Sequence, residues 1–544
     1  MTEARTPTAI DAIAERWVDT LVELDPTVAV WIGRRGAGNG YADHSPAGHA
    51  ARDEAARRTL AELDAADPAD AVDRVTKADL AAELRLGLEQ SEARLHLRDL
   101  NVIASPAQEI REVFDLMPQA SEDDWAAIGE RLRAVPGALA GYAETLRAGI
   151  REGVVPARRQ VAEVIRQAED NVGPDGFFAG LVAGREPLAA AAEAAGEAYR
   201  AFAGFLLEEL LPAATDVDAV GRDAYALRSR AFLGAAVDLD ETYEWGLDEL
   251  ARMIAEQSEV AGRILPGAGV EEAVAHLEAD PARKLHGTAA LQRWMQETSD
   301  RAIAELSRAQ FDIPEPVRRL ECRIAPTHTG GIYYTGPSDD FSRPGRMWWS
   351  VPEGVDEFDT WRELTTVYHE GVPGHHLQIG QAVCNSATLN TWRRQLAGTS
   401  GHAEGWALYA ERLMAGLGFL DDPADRLGML DGQRMRAARV VLDIGVHLQK
   451  PRPDGQGVWD ADFALAFMRA NVNMDDAFVR FEVNRYLGWP GQAPSYKIGQ
   501  RIWERLRDEA RAREGAAFDL RAWHRTALDL GGVGLDTLRA ALSA

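Results

Sequence analysis

Apolar side chains recur every three or four positions through most of the first part of the chain, and this spacing limits the possible folds more than any other feature. In residues 188–211 the spacing runs between Pro187, which suits the first turn of a helix, and Pro212, which ends one. Residues 78–97 follow the same spacing, and Ala, Glu, Leu and Arg, all good helix formers, dominate the region. The sequence therefore predicts a mainly α fold in which residues 1–320 form a helical N-terminal lobe.

A different pattern begins in the second part of the chain. Residues 321–325, 331–334 and 346–351 are typical of short strands, because Pro and Gly residues that favour turns separate them. Helical sequence then resumes and continues to the C terminus. We therefore expect a small β-sheet insert near residues 321–351, within a catalytic lobe of residues 321–544 that forms one unit with the first lobe. The strand at 346–351 could offer its edge to an extended peptide.

Charge and cysteine content exclude several classes of protein. The chain has 59 basic and 86 acidic residues and a net charge of −27, so the phosphate backbone of a nucleic acid would be repelled. The two cysteines, Cys322 and Cys384, have no CxxC neighbours, which argues against a disulfide framework or a cysteine zinc site. No segment approaches the roughly 18 apolar residues of a membrane span, and residues 1–6 lack the apolar stretch of a signal peptide. We expect a cytoplasmic protein with no membrane or nucleic-acid partner.

Four chemically active side chains lie together in the run His369-Glu370-Gly371-Val372-Pro373-Gly374-His375-His376. The common zinc helix has the spacing His-Glu-x-x-His, which places both imidazoles on one helix face about 6 Å apart along the axis. Here that fourth position is Pro373, so the simple motif fails. In a regular helix His376 would lie about 10 Å from His369, and His375 would point about 120° away.

Pro373 and Gly374 offer a way to bring the ligands together, because proline interrupts a helix and glycine tolerates the resulting dihedrals. A helical bulge there would place His375 next to His369, with His376 as the alternative ligand. Further along the chain, Glu404 lies in a segment typical of a helix and is the predicted third ligand. A set of two histidines and one glutamate favours zinc, although Mn, Co or Fe could also bind.

Glu370 directly follows the first ligand, so it cannot easily bind the same ion but can lie beside the water that the metal activates. That is the position of a general base, and we predict this role for Glu370. Asp443 and His447 share a helix face, and a buried aspartate often orients a metal-binding imidazole. The sequence therefore predicts a catalytic zinc site formed by His369, His375 and Glu404.

Three segments of the chain resemble the signature of the DUF885 family of bacterial proteins. They are the run at 369–376, the sequence Glu-Gly-Trp-Ala-Leu-Tyr-Ala-Glu at 404–411, and Pro-Gly-Gln-Ala-x-Ser-Tyr-Lys-x-Gly at 490–499. The family is similar to the helical gluzincin metallopeptidases, in which two His and one distant Glu bind zinc. The resemblance implies a large, two-lobed helical fold with a deep cleft.

A peptidase also needs groups that bind the substrate and stabilise the oxyanion of the tetrahedral intermediate. Tyr496 is the predicted oxyanion donor, and helical metallopeptidases that resemble this chain use a C-terminal Tyr or His for that task. We expect the substrate to be bound by four further side chains, which are Arg343, Arg485, Lys497 and His376.

The sequence predicts a zinc-dependent hydrolase that cleaves peptide bonds of small peptides or oligopeptides. One alternative is an amidohydrolase that acts on an N-acyl or other non-peptide amide, and another is a non-catalytic helical scaffold that binds peptides. A binding module needs no general base, so the pair Glu370 and Glu404 favours an enzyme. The sequence does not distinguish aminopeptidase, carboxypeptidase and oligopeptidase, and it does not indicate the oligomeric state.

Overall fold

Helices make up most of the chain in the computed structural model, which describes residues 5–34, 36–325 and 331–543. The mainly α prediction is confirmed. Within the described ranges, no helix is both long enough and apolar enough to cross a membrane. Residues 1–4, on which part of the signal-peptide prediction rests, lie outside these ranges.

The first ten helices form two small apolar cores, one between residues 13 and 84 with Trp392 and the other between residues 100 and 214. The predicted helix at 188–211 is present, as two helices joined by a π turn at Leu206–Leu210. The helices are α1 Ala9–Leu24, α2 Thr27–Trp31, α3 Pro46–Ala65, α4 Ala71–Glu92, α5 Pro106–Leu116, α6 Glu122–Glu152, α7 Arg158–Glu169, α8 Phe177–Leu181, α9 Ala189–Phe205 and α10 Leu211–Ala213.

The remaining helices carry the candidate site, and the starts of two long ones, α18 and α21, are fixed by particular residues. Asp422 caps α18 with its side chain, and Gly491 precedes α21 in the left-handed conformation at φ +87°. These helices are α11 Arg222–Leu233, α12 Leu239–Ile264, α13 Val270–Glu278, α14 Thr288–Ala309, α15 Thr360–Glu370, α16 His375–Cys384, α17 Ser400–Gly416, α18 Pro423–His447, α19 Ala461–Arg469, α20 Asp476–Gly488, α21 Gln492–Glu514, α22 Leu520–Asp529 and α23 Leu535–Ser543.

One large apolar core extends from Tyr225 to Leu542 and joins α11–α14 to the helices of the C-terminal part. The predicted division at residue 320 therefore does not coincide with a boundary between cores. The long helices α12 and α18 pack side by side in this core. Helices α11–α14 are thus structural supports of the candidate site, although the sequence pattern groups them with the N-terminal lobe.

The strands form two small sheets, one of which is the predicted insert. Strands β2 Leu320–Ile324, β3 Ile332–Thr335 and β4 Gly345–Trp349 have the order β2-β4-β3, with β2 parallel and β3 antiparallel to β4. The central position of β4 shows that the predicted free edge at 346–351 is wrong, because both of its sides are already paired. A second pair, β1 Lys284–His286 with β5 Glu357–Asp359, was not predicted.

Helices α17 and α21 cross at two glycines. A Cβ placed on Gly405 of α17 would lie 2.4 Å from the backbone carbon of Gly499 in α21. No side chain larger than hydrogen fits at this crossing, so the two backbones are in direct contact. The crossing fixes the position of Glu404, which precedes Gly405, relative to Tyr496, which lies one turn before Gly499.

Candidate metal centre

The two predicted histidine ligands lie on separate helices. Helix α15 ends at Glu370 and α16 begins at His375, so the connection is a loop with a cis Val372-Pro373 bond and not the predicted bulge within one helix. The backbone leaves the helical region at Gly371, where ψ is −129°, and again at Gly374, where ψ is −132°. A Cβ on Gly374 would lie 1.8 Å from the carbonyl oxygen of His369, so this close turn requires glycine.

Trp406 holds this loop against α17. Its indole N–H donates to the carbonyl oxygen of Pro373 at 2.8 Å, and the ring is completely buried. Trp406 lies two residues after Glu404. The hydrogen bond from its indole to the carbonyl oxygen of Pro373 therefore also holds Glu404 beside α16. The Glu-Gly-Trp sequence therefore has a structural reason: glutamate for the site, glycine for the helix crossing and tryptophan for the loop.

The three predicted ligands meet at one point. The Nε2 atoms of His369 and His375 lie 3.2 and 3.4 Å from the same oxygen, Oε2 of Glu404. The ligand atoms all lie within 4.8 Å of one another. Ligands about 2.1 Å from a tetrahedral zinc ion would be separated by about 3.4 Å, so the donor types and their separations fit zinc. The three predicted ligands therefore lie close enough together to hold one ion, and their binding of a metal stays a prediction.

The electrostatics of the triad favour a cation. Burial by itself would lower the pKa of His369, but Glu404 on one ring nitrogen and Glu411 on the other raise it to about 10. The carboxyl of Glu404 is also buried, which opposes ionisation, yet the neighbouring His375 and His369 hold its pKa far below the ordinary value. Because the carboxylates of Glu404 and Glu411 both contact the ring of His369, they stabilise a positive charge at this point.

Glu411 is a candidate site residue that the sequence analysis missed. Its Oε1 accepts a hydrogen bond from Nδ1 of His369 at 2.8 Å, which leaves Nε2 of that ring free to bind a metal. Only 2% of Glu411 is exposed. The residue lies seven positions after Glu404, and this spacing places both carboxylates on the same face of α17. The seven-residue spacing between Glu404 and Glu411 is the feature of the sequence from which Glu411 could have been predicted.

Glu411 is held in turn by a buried polar chain. Its Oε2 accepts from Nε2 of Gln433 at 3.1 Å, and Oε1 of Gln433 accepts from the ammonium of Lys497 at 2.6 Å. Lys497 also pairs with Glu249 at 2.9 Å and is only 1% exposed. The prediction that Lys497 binds substrate is therefore wrong, because its charge is used within the protein and its head group is buried.

Glu370 lies beside the triad as the sequence predicted. It is 6% exposed, and burial raises the pKa of its carboxyl, an effect that His375 and His369 oppose. Within the described residues its carboxylate makes no hydrogen bond within the ordinary distance. A carboxylate with a raised pKa and no fixed partner is well suited to accept a proton and give it away again.

Tyr496 lies close enough to Glu404 for the charge of that carboxylate to act on its phenol. Burial and the charge of Glu404 raise the pKa of its phenol to about 12, so the hydroxyl keeps its proton at neutral pH. The guanidinium of Arg439 lies 5.3 Å from the centre of its ring. The structure thus brings the predicted oxyanion donor close to the triad and keeps it in the donating form.

His376 does not take part in the triad. Its Nε2 donates to the carbonyl oxygen of Val317 at 2.7 Å, and its Nδ1 accepts from the hydroxyl of Tyr334 at 2.9 Å. The ring is completely buried. The prediction that His376 contacts substrate is therefore wrong, since both nitrogens already have protein partners. The ring attaches α16 to the small sheet instead.

The two predicted arginines differ in position. Arg343 is half-buried near Tyr334 and Arg346, and burial together with the charge of Arg346 lowers its pKa. Arg485 is close to Tyr496, and one of its nitrogens lies 3.4 Å from Glu482. Only Arg485 of this pair is therefore beside the residues that would contact a reacting bond.

Asp443 and His447 do not support the metal ligands. Asp443 accepts from the hydroxyl of Tyr225 at 2.6 Å and from the backbone N–H of Gly491 at 2.9 Å. His447 hydrogen-bonds through Nε2 to the carbonyl oxygen of Tyr486 at 3.0 Å. The predicted orienting role of Asp443 is therefore wrong, and its contacts fix the start of α21 instead.

Comparison with known proteins agrees with this geometry at the level of fold. A "putative lipoprotein" from Colwellia psychrerythraea is 22% identical, with 99% of each chain covered and a TM-score of 0.87. A "putative lipoprotein of unknown function" from Shewanella oneidensis is 17% identical, with 99% of this chain and 100% of that chain covered and a TM-score of 0.76. No curated protein matches the sequence. Residues 26–542 match the family described as "Bacterial protein of unknown function (DUF885)", so the chain belongs to the DUF885 family.

Proposed function

We propose that this protein is a zinc-dependent hydrolase that cleaves peptide bonds of small peptides or oligopeptides. The observation that carries the proposal is the convergence of two imidazole nitrogens on one oxygen of Glu404, at 3.2 and 3.4 Å, with the buried carboxylate of Glu370 alongside. A scaffold has no use for a buried, raised-pKa carboxylate beside a ligand set. The cytoplasmic location stays a prediction, and the lipoprotein descriptions apply to the two related structures.

His369, His375 and Glu404 would hold the zinc ion, which would supply Lewis-acid activation of a water molecule. Glu370 accepts a proton from that water as the oxygen of the water adds to the carbonyl carbon of the substrate. Glu370 then donates the proton to the leaving nitrogen as the C–N bond breaks, so the base ends the cycle ionised. Tyr496 donates a hydrogen bond to the oxyanion that develops on the carbonyl oxygen.

The first test is metal content by elemental mass spectrometry, with His369→Ala as the control. We expect about one zinc per chain in the unmodified protein and its loss in the variant. Glu370→Gln should keep the zinc and lose hydrolysis of a peptide library by about 10²- to 10⁴-fold, because the amide cannot accept the proton. Full activity of this variant would refute the mechanism. Hydrolysis of small amides but of no peptide would favour the amidohydrolase alternative.

A further inference from the structure

An arginine without a partner lies next to the proposed reaction centre. Arg436 is half-buried on α18, and its Nε is inaccessible to water and has no hydrogen-bond partner among the described residues. No carboxylate of the described ranges lies within ion-pair distance of its guanidinium. A buried guanidinium nitrogen that donates to nothing costs free energy, so its presence calls for an explanation.

The neighbours of Arg436 on the helix place it between the two halves of the site. Gln433, three residues earlier, holds Glu411, and Arg439, three residues later, lies over the ring of Tyr496. Residues three apart are neighbours on a helix surface. The charge of Arg436 also acts on Glu370 and Tyr496, lowering the pKa of each. The guanidinium is therefore close to both the general base and the oxyanion donor.

The arginines around Tyr496 outnumber the carboxylates with which they form ion pairs. Arg439 pairs with Glu482 at 2.7 Å, and Arg485 approaches the other oxygen of the same carboxylate at 3.4 Å. Glu482 thus serves two arginines, and Nε of Arg485, like that of Arg436, is buried without a hydrogen-bond partner in the described structure. Two guanidiniums share this one carboxylate, and the third, that of Arg436, has no carboxylate within ion-pair distance among the described residues, in a protein whose net charge is −27. An anion from outside the chain would complete the arrangement.

We propose that Arg436, with Arg485 beside it, binds the C-terminal carboxylate of the substrate, and that the enzyme is a carboxypeptidase. The proposal rests on the proposed function and names its substrate class. A carboxylate at this place lies near both Glu370 and Tyr496, so it belongs to the residue that directly follows the scissile bond. Hydrolysis then releases one amino acid. The N-terminal ammonium of a peptide would be repelled by the same arginines, which argues against an aminopeptidase.

The test compares two libraries of N-acetylated tripeptides, one with a free C-terminal carboxylate and the other with a C-terminal amide. The zinc-loaded protein should cleave the acids at least about 30-fold faster than the amides and release the last residue. Arg436→Gln should bring this ratio close to one while the zinc content stays the same. Arg436→Lys should recover part of the ratio, because a point charge lacks the bidentate geometry of a guanidinium.

Arg434→Gln is the matched control. Arg434 lies on the same helix and bonds to Asn471 and Gln257, away from the site, so the variant should keep the full ratio. Equal cleavage of acids and amides by the unmodified protein would overturn the proposal and leave the peptidase function intact. Equal loss of both activities in Arg436→Gln would also overturn it, since that result assigns Arg436 to charge balance or to the oxyanion.

A binding measurement separates this inference from the proposed function. Zinc-loaded Glu370→Gln is incubated with both libraries in equilibrium dialysis, and retained peptides are identified by mass spectrometry. If the unmodified protein cleaves neither library, the peptidase proposal fails. Preferential retention of the acids, lost in Arg436→Gln combined with Glu370→Gln, would still support the carboxylate site. Retention of neither library would overturn the carboxylate site as well.

Discussion

Glu411→Gln tests how strongly the polar chain behind His369 controls metal binding. In the native chain every proton has a fixed place: Lys497 donates to Gln433, Gln433 donates to Glu411, and His369 donates to Glu411. His369 and Gln433 donate to different oxygens of Glu411, and a glutamine at 411 replaces one of these oxygens with an N–H₂ group that cannot accept from the donor facing it. Turning Gln433 around does not help, because its amide N–H₂ would then face the ammonium of Lys497.

One buried donor is therefore left without an acceptor whichever way the new amide is oriented. Such a loss costs about 1 to 3 kcal/mol. If His369 loses its acceptor, its ring is no longer held with Nε2 towards the metal, and zinc affinity should fall by about 10- to 100-fold. The expected weakening thus corresponds to about 1.4 to 2.7 kcal/mol of binding free energy.

Zinc affinity is measured by competition with a chromophoric chelator, and circular dichroism checks that the variant is folded. Glu363→Gln is the matched control, because Glu363 lies on the same helix as His369, has a pKa raised by burial to about 7, and is outside the polar chain. A folded Glu411→Gln protein that binds zinc within about twofold of the native affinity would refute the reasoning.

Two further substitutions test the helix crossing and the buried aspartate. Gly405→Ala forces a methyl group against the backbone of Gly499 and should destabilise the protein by about 1 to 3 kcal/mol with loss of hydrolysis, whereas Gly416→Ala in the same helix meets nothing within 4 Å and should be harmless in thermal unfolding. Burial raises the pKa of Asp443 from 3.8 to about 7. The unfolded chain therefore loses this proton first, and native stability falls as pH rises towards 7. Asp443→Asn removes this titration. Measured by urea unfolding, the free energy of unfolding of the variant relative to that of the native protein should therefore increase by about 3 kcal/mol between pH 5 and 8. A difference that stays constant with pH would refute the raised pKa of Asp443.

Much of the fold follows from local sequence. The apolar spacing at 188–211 and its flanking prolines predict a helix that is present, and the turn residues near Pro344 predict the three-stranded sheet. The pair β1 with β5 was missed because strands of three residues are too short to show alternation. The helices at 222–309 carry the same pattern as those before them, so periodicity does not reveal which core they join.

The candidate site was predictable where residue type decides the chemistry. Two histidines, a glutamate beside the first and a distant glutamate indicate a metal, whatever the backbone does between them. The partners of Lys497 were not predictable, because Glu249 is far away in sequence and only the packing of α12 brings it near. Arg436 has no motif at all, and its significance comes from the partner that it lacks.

The loop between α15 and α16 also affects how centres of this kind are found in other genomes. A search for the His-Glu-x-x-His motif requires two histidines one helical turn apart, so it passes over a chain in which His369 and His375 are six positions apart. When a loop sets the distance between ligands, insertions in it change the spacing without changing the ligands. A more useful query combines His-Glu, a Pro-Gly pair and a later Glu-Gly-Trp, since each part has its own structural reason here.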